Sequence, residues 1–424
     1  MEVSITNIND VEKEISFNVP AAELVPHFDK AYAEYIPKIE IKGFRKGKAP
    51  IDLVKKIHGE AIEYDSLSSV ASDIYREVVE QRNIKPIGEP ALVDMNYKRG
   101  EAFAFKIKYE IKPVVQLKDY KGIEIEKVLH KVTDKELEDE ILRLRKANST
   151  LAEAQTATDD EHVITADVQE LDQSGTPLIG KKDADARFYL GDETLHQQIK
   201  DALKGSSAGE SKRMTIETKH EDHSHTNHLQ ITVKKVEKVV LPEFNDELVK
   251  KTTKDKVTST DEFREQLRDD LENYWKERSD RKVIDAIITE VVKRHEITVP
   301  ESLVRGVQES LLEDVKNRYP NKKLPKEFNE ETFREQNHDY ASFQAKWFLI
   351  REQMIETEKM TVDDADLEKQ AEGDAPKMGI EKEKLVSFYK SSDAVKERIL
   401  SEKLISFLKE KSNITEKVTE EFIE

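Results

Sequence analysis

The spacing of apolar residues changes character twice along this chain, and no single core can satisfy every spacing. Near the N-terminus Ile15, Phe17 and Val19 alternate with polar residues, as a half-buried strand requires. Leu24, Val25, Phe28, Ala31, Tyr32 and Tyr35 then fall at helical spacing, as do Leu67, Val70, Ala71, Ile74, Tyr75 and Val78. Phe103, Phe105, Ile107, Tyr109 and Ile111 share one face of a strand, with Lys106, Lys108 and Glu110 on the other. From about 150 to 240 the texture becomes short β-like runs with turns, including Arg187-Phe188-Tyr189-Leu190 and Leu229-Gln230-Ile231-Thr232-Val233. Gly175, Gly180, Gly191, Gly205 and Gly209 gather there, in a chain with only 14 glycines, so turns are dense in this segment. Beyond Pro242 the spacing is almost wholly helical, with stripes at Phe263, Leu267, Leu271 and Tyr274, at Leu303, Val307, Leu311 and Val315, at Phe343, Trp347, Ile350 and Met354, and at Ile399, Leu404 and Leu408.

These changes predict an α+β, multidomain chain. An α+β domain spans 1–112, a connector and helix 113–149, a small β-rich domain 150–243, and a helical domain 244–424. Residues 113–132 read as an extended connector, and Thr133-Asp134-Lys135-Glu136 has the form of a capping box opening a helix. The acidic end after Ser412 is expected to fray. Charged residues make up 37% and hydrophobic ones only 37% of 424 positions, so little apolar area is available per residue and the fold should be elongated.

The net charge of −18 excludes a surface that binds nucleic acid as a whole, because phosphates would be repelled. DNA is therefore not an expected partner, and any RNA contact must be local. The absence of cysteine excludes disulfides, thiol catalysis and thiolate metal sites. The segment MEVSITNINDVEKEISF lacks the basic start and apolar core of a secretory signal, and no stretch reaches the length of a membrane span. A cytoplasmic protein without a membrane partner is the expectation.

Against this acidity, Lys42, Arg45, Lys46 and Lys48 place four positive charges within residues 41–50. Gly43 and Gly47 permit backbone geometries other residues resist, and Pro50 suits the start of the following helix. Phe44 is an apolar side chain among charges. The arrangement suits an RNA–protein surface, where cations meet phosphates and an aromatic fills a pocket or stacks. The residues also allow a solvated loop with Phe44 tucked inward. A phosphate-cradling P-loop is excluded, since Gly47-Lys48 is followed by Ala49, and an ATP-driven cycle is accordingly not expected.

Gly43-Phe44-Arg45-Lys46-Gly47-Lys48-Ala49-Pro50 resembles the signature of the trigger factor family, bacterial chaperones of the ribosomal exit tunnel. Ile297-Thr298-Val299-Pro300-Glu301-Ser302-Leu303-Val304 is similar to the start of a family helix. Val233-Lys234-Lys235-Val236-Glu237, followed by Leu241-Pro242-Glu243, resembles the family's exit from its central domain. The resemblance covers essentially the whole chain. It implies that the loop residues Gly43 to Lys48, with Phe44, Arg45 and Lys46 foremost, meet ribosomal protein and ribosomal RNA near the nascent-chain exit. It also implies a helical C-terminal domain shaped as a cradle with arms for unfolded nascent polypeptides. Homodimer formation away from the ribosome is left open.

In this family the central domain resembles FKBP-type prolyl isomerases, which bind proline in an aromatic pocket and favour the twisted amide, whose uncatalysed barrier is about 18–20 kcal/mol. The pocket positions are altered here. Val168 follows Asp167 where an aromatic is expected, Leu178 precedes Gly180 in place of a phenylalanine, Gln197-Gln198-Ile199-Lys200 replaces Pro-Gly-Phe-Glu, and Leu229 takes the last aromatic position. Phe188 and Tyr189 are the remaining aromatic candidates. The expectation is a domain that keeps the fold with weakened or lost isomerase chemistry; the alternative is an active prolyl isomerase assisting nascent chains.

His220, His223, His225 and His228 fall within nine positions beside Glu221 and Asp222. Imidazoles at such spacing can bind zinc, nickel or copper, whereas a polar loop seldom supplies the supporting shell of a folded site. A weak metal site and a solvated loop both remain open, and no cofactor is expected.

Overall fold

In the computed structural model, which describes residues 1–219 and 224–421, each period becomes the element it dictates. β1 (Glu2–Asn7) and β2 (Glu12–Val19) pair as a hairpin, followed by α1 (Ala21–Tyr35) and α2 (Ile51–Gln81). β3 (Pro86–Asn96) and β4 (Phe103–Ile111) complete an antiparallel sheet of order β1-β2-β4-β3. The register sets Ile15 opposite Ile107 and Phe17 opposite Phe105, so the apolar faces of the two strands coincide. The Phe17 and Phe105 rings stack at 4.5 Å, and Leu24, Phe28 and Tyr32 of α1 with Leu67, Ile74 and Val78 of α2 bury that face.

The segment read as an extended connector contains β5 (Glu124–His130) and ends at α3 (Asp134–Ala147). The Thr133–Glu136 capping box is fully formed: the Glu136 N–H donates to Thr133 Oγ1 at 3.3 Å, and the Thr133 N–H donates back to Glu136 Oε2 at 2.8 Å. The β-rich segment follows as β6 (Thr150–Glu153), β7 (His162–Leu171), β8 (Pro177–Tyr189), α4 (Gln197–Leu203), β9 (Ser211–Lys219) and β10 (Ser224–Val240). β10 pairs with β6, β7 and β9, and β7 with β8, all antiparallel. The C-terminal region is helical: α5 (Asp246–Thr253), α6 (Thr260–Arg294), α7 (Glu301–Asn317), α8 (Glu330–Gln336), α9 (His338–Thr357), α10 (Asp364–Met378), α11 (Lys382–Ser391) and α12 (Asp393–Lys411). It closes with β11 (Asn413–Thr419).

The chain forms two compact units. The first comprises Met1–Lys127 and Asp280–Glu416. Besides the sheet core, it holds a cluster in which Val283, Ile287 and Val291 of α6 pack with Leu349, Ile350 and Met354 of α9 and Leu404 and Leu408 of α12. His295 ties residues near 118 to this cluster, since its Nδ1–H donates to the Val291 carbonyl at 2.7 Å while Nε2 accepts from the Lys118 N–H at 2.8 Å. A smaller core joins Leu367 and Ala371 of α10, Leu385 and Tyr389 of α11, and Ile399 of α12.

The second unit comprises Val128–Ser279 and Lys417–Glu424. Its β-rich core gathers Ile164, Ala166, Leu190, Leu203, Ile231 and Val233, and a separate cluster joins Val132, Leu137 and Trp275. The α6 stripe therefore runs Leu267, Leu271, Trp275, with Tyr274 turned outward at 54% exposure, where the sequence pattern placed Tyr274 inward. Steps of four residues keep 267, 271 and 275 on one face, and the bulkier indole takes the buried place.

The end of the chain departs from its expected fraying. The Asn413 N–H donates to the Ile123 carbonyl at 2.8 Å in the first unit, and the Lys131 N–H donates to the Thr419 carbonyl at 2.8 Å in the second. Ile414 packs beside the α6–α9–α12 cluster, so a polar-looking tail is held by backbone pairing and one apolar anchor. Among the described residues no helix is long and apolar enough to cross a membrane.

Candidate functional site

The basic loop is built on the turn between α1 and α2. After a single 3-10 turn at Ile36–Lys38, the chain folds on itself: Phe44 N–H donates to the Ile41 carbonyl at 3.0 Å, Lys48 N–H to Arg45 at 2.9 Å, and Gly47 N–H to Ile39 at 3.3 Å. Gly43 and Gly47 adopt φ of +96° and +74°, and a Cβ at Gly47 would lie 3.1 Å from Pro37 Cα, so both glycines are required by the turn itself. Ile41 is buried and pins the loop to the sheet core.

Phe44 is 43% exposed and takes no part in the sheet core, which removes the reading in which it tucks inward. Lys42, Arg45, Lys46 and Lys48 are exposed. Among the described residues none of these four cations has an ion-pair partner, whereas two cations of the flanking helices do: Lys55 pairs with Asp29 at 2.6 Å and Lys30 with Asp73 at 3.0 Å. An aromatic surface surrounded by uncompensated positive charge can meet a surface that presents both phosphates and an apolar recess.

Sequence reasoning missed a polar cluster that links α1 and α2, the two helices on either side of this loop, around the buried Glu63. Glu63 of α2 accepts from Tyr32 Oη at 2.5 Å and Tyr97 Oη at 2.8 Å, and pairs with Arg99 Nε at 3.2 Å. Burial, reinforced by the Glu63 charge, pushes both tyrosine hydroxyls well above their ordinary range, so they remain neutral donors. The one local signal was Gly59 within a helical stripe, since a Cβ there would meet the Arg99 guanidinium and the Tyr32 hydroxyl.

In the β-rich segment, Phe188 and Val168 pack against the core with Ile199. Tyr189 donates to Glu161 Oε2 at 3.0 Å, and burial followed by that hydrogen bond pushes its hydroxyl up to about 12. Leu178 is exposed, its neighbour Ile179 fully so, and Gln198 is exposed. Asp167 is held between Lys234 and Lys182, at 2.6 and 2.8 Å, and these hydrogen bonds hold its carboxyl well below the usual range.

Of the histidines singled out, His220 and His223 lie outside the described residues. His225 is placed only through its backbone, opposite Thr218 in the β9–β10 ladder. His228 Nδ1 lies 2.9 Å from Thr215 Oγ1. Among the described residues no group of three or more His, Asp or Glu is arranged to hold a metal ion.

Comparison with known proteins places the chain in one family. Residues 1–144 match the family model for bacterial trigger factor protein, and residues 259–410 match the model for its C-terminus. The trigger factor of Salinibacter ruber is 30% identical over 409 residues, covering 92% of this chain and 88% of its own length. That of Chloroherpeton thalassium is 29% identical over 395 residues, covering 92% and 91%. A solved structure described as "Promiscuous Substrate Recognition in Folding and Assembly Activities of the Trigger Factor Chaperone" aligns over 96% of this chain and 99% of its own, with 21% identity and a TM-score of 0.48. With a relative of this identity aligned along nearly its whole length, the chain belongs to the trigger factor family.

Proposed function

We propose that this protein is an ATP-independent, ribosome-associated chaperone that docks near the nascent-chain exit through residues 43–48 and shields emerging polypeptides in the cytoplasm. The observation that carries the reading is the loop itself: exposed Phe44 among four cations that have no ion-pair partner among the described residues, on a chain whose net charge is −18. A surface so acidic overall can approach RNA only where such a local basic feature overrides repulsion. Family membership supplies the nature of the partner, a ribosome carrying an unfolded nascent chain.

Prolyl isomerisation is a minor or absent part of this role. Val168, Leu178, Ile199 and Leu229 stand where pocket aromatics are expected, Phe188 is committed to the core, and Tyr189 is tied to Glu161. Efficient catalysis of a proline-limited refolding reaction by the full chain would overturn this part of the reading.

Co-sedimentation with ribosomes tests the docking itself. The Phe44→Ala/Arg45→Ala/Lys46→Ala variant should lose binding while its circular dichroism spectrum matches that of the unmodified chain. Equal co-sedimentation of both proteins refutes the assignment of the loop.

A further inference from the structure

We infer that the Tyr32–Glu63–Tyr97–Arg99 cluster, with both tyrosines and Glu63 buried and Arg99 at the surface, is a positioning device that holds the docking loop in its binding geometry, with Glu63 as its centre. The inference rests on the reading of that loop as the ribosome contact.

The placement of the four residues carries the argument. Tyr32 lies four residues before Ile36, where the chain leaves α1. Arg99, at the β3–β4 turn, donates from Nη2 to the Lys55 carbonyl at 3.0 Å, four residues after α2 begins at Ile51. Glu63 accepts from both tyrosines and pairs with this arginine, so one carboxylate joins the exit from α1, the first turns of α2 and the hairpin beside them. Tyr32 Oη also lies 3.4 Å from the Gly59 carbonyl, and Lys55 sits over the Tyr32 ring at 5.1 Å. The loop has three internal backbone bonds and one buried side chain, Ile41, so its orientation is inherited from the two helices that emit it.

A hydrophobic cluster would fill this space without a charge to desolvate, and buried ion pairs are often no more stabilising than apolar replacements. What the carboxylate adds is direction. Two hydroxyls and a guanidinium satisfy it in one arrangement only, and Gly59 leaves the room that arrangement needs. A loop held in one orientation loses less entropy on docking, so its few contacts yield more affinity.

Amide hydrogen exchange across residues 39–50, measured with ribosome affinity and suppression of aggregation by the free chain, tests the role. Tyr97→Phe keeps the ring, which packs 5.9 Å from Phe103 and 5.5 Å from Phe28, and removes one donor to Glu63. The Phe44, Gly47 and Lys48 amides should exchange about tenfold faster, the worth of one charge-assisted hydrogen bond, while β4 amides stay unchanged. Ribosome affinity should fall by about tenfold with aggregation suppression intact. Glu63→Gln should act in the same direction and more strongly, and Tyr97→Phe decides the question should that variant misfold. Unchanged loop exchange in the folded Tyr97→Phe variant overturns the inference, as does acceleration of loop and β4 amides together, which marks plain core support. If Phe44→Ala/Arg45→Ala/Lys46→Ala loses ribosome binding and Tyr97→Phe keeps wild-type affinity, the inference alone falls. If the triple variant itself binds normally, the docking reading falls and the inference with it.

Discussion

Salt titration of ribosome binding separates the two chemistries that the loop combines. Lys42, Arg45, Lys46 and Lys48 are exposed and have no ion-pair partner among the described residues, so each can engage a phosphate without first breaking an internal bond. Each phosphate neutralised releases counterions, giving a slope of log K against log salt of about −0.7 for single strands to about −0.9 for duplex. Four contacts give roughly −2.8 to −3.6, so raising salt from about 50 to about 200 mM should weaken binding by roughly 50- to 150-fold. Arg45→Ala/Lys46→Ala should halve the slope, and the same salt increase should then cost only about 7- to 12-fold. Phe44 behaves differently. Covering the 43% of its surface now exposed removes about 90 Å² from water, worth about 2 kcal/mol at about 25 cal/mol per Å². Phe44→Ala should weaken binding by about thirtyfold at every salt concentration and leave the slope unaltered. The measurement is co-sedimentation with purified ribosomes at fixed magnesium. An unchanged slope in the double-alanine variant, or a Phe44→Ala effect that vanishes at high salt, refutes the division of labour.

Three further outcomes follow from the packing and the charges. The hydrogen bond from Lys403 Nζ, at 2.6 Å, holds the Asp366 carboxyl below its usual range, against the opposing effect of burial. A depressed folded pKa contributes stability that is present above the unfolded value and lost as pH falls through the folded one. The melting-temperature gap between the unmodified chain and Asp366→Asn should therefore narrow between neutral pH and pH values below the ordinary carboxylate range; a constant gap refutes this. Thr133→Ala removes the side-chain half of the α3 capping box and should cost about 1 kcal/mol in the unit that contains it, read as a shift of its urea midpoint. Phe105→Ala opens a cavity between the Phe17 and Phe103 rings, at 4.5 and 4.7 Å, and should cost about 3–5 kcal/mol in urea unfolding; a loss under about 1 kcal/mol would show that the sheet core collapses around the gap.

Elements with a strong period could be read from the sequence because their signal is local. In β4 the alternation of Phe103, Phe105, Ile107 and Tyr109 with charged neighbours is the burial pattern itself. The Thr133–Glu136 box needs only a helix turn to close. The docking loop was legible for a similar reason, since its charges, its aromatic and its two glycines act within a single decapeptide. The sequence left the placement of Phe44 open, because a phenylalanine between charges fits an inward or an outward position equally. The turn bonds around Ile41 and Gly47 and the burial of Ile41 leave Phe44 exposed.

What the sequence by itself determined is the order of α+β, β-rich and helical segments, the family, and the chemistry of the loop from Gly43 to Lys48. Each is written in residues that are neighbours in the chain or lie one turn apart. Tertiary structure alone decided the rest. Glu63 reads in isolation as one more charge on a helix, and becomes a buried acceptor only when folding brings in Tyr32 from 31 positions before and Tyr97 from 34 positions after it. The acidic tail becomes a strand because its backbone finds partners near Ile123 and Lys131, some 290 positions upstream. Trp275 rather than Tyr274 is buried because Val132 and Leu137 wait on that side of α6. Backbone and side-chain partners so distant leave no periodicity in the sequence, and the cost of burying a polar group is settled only where its partner arrives.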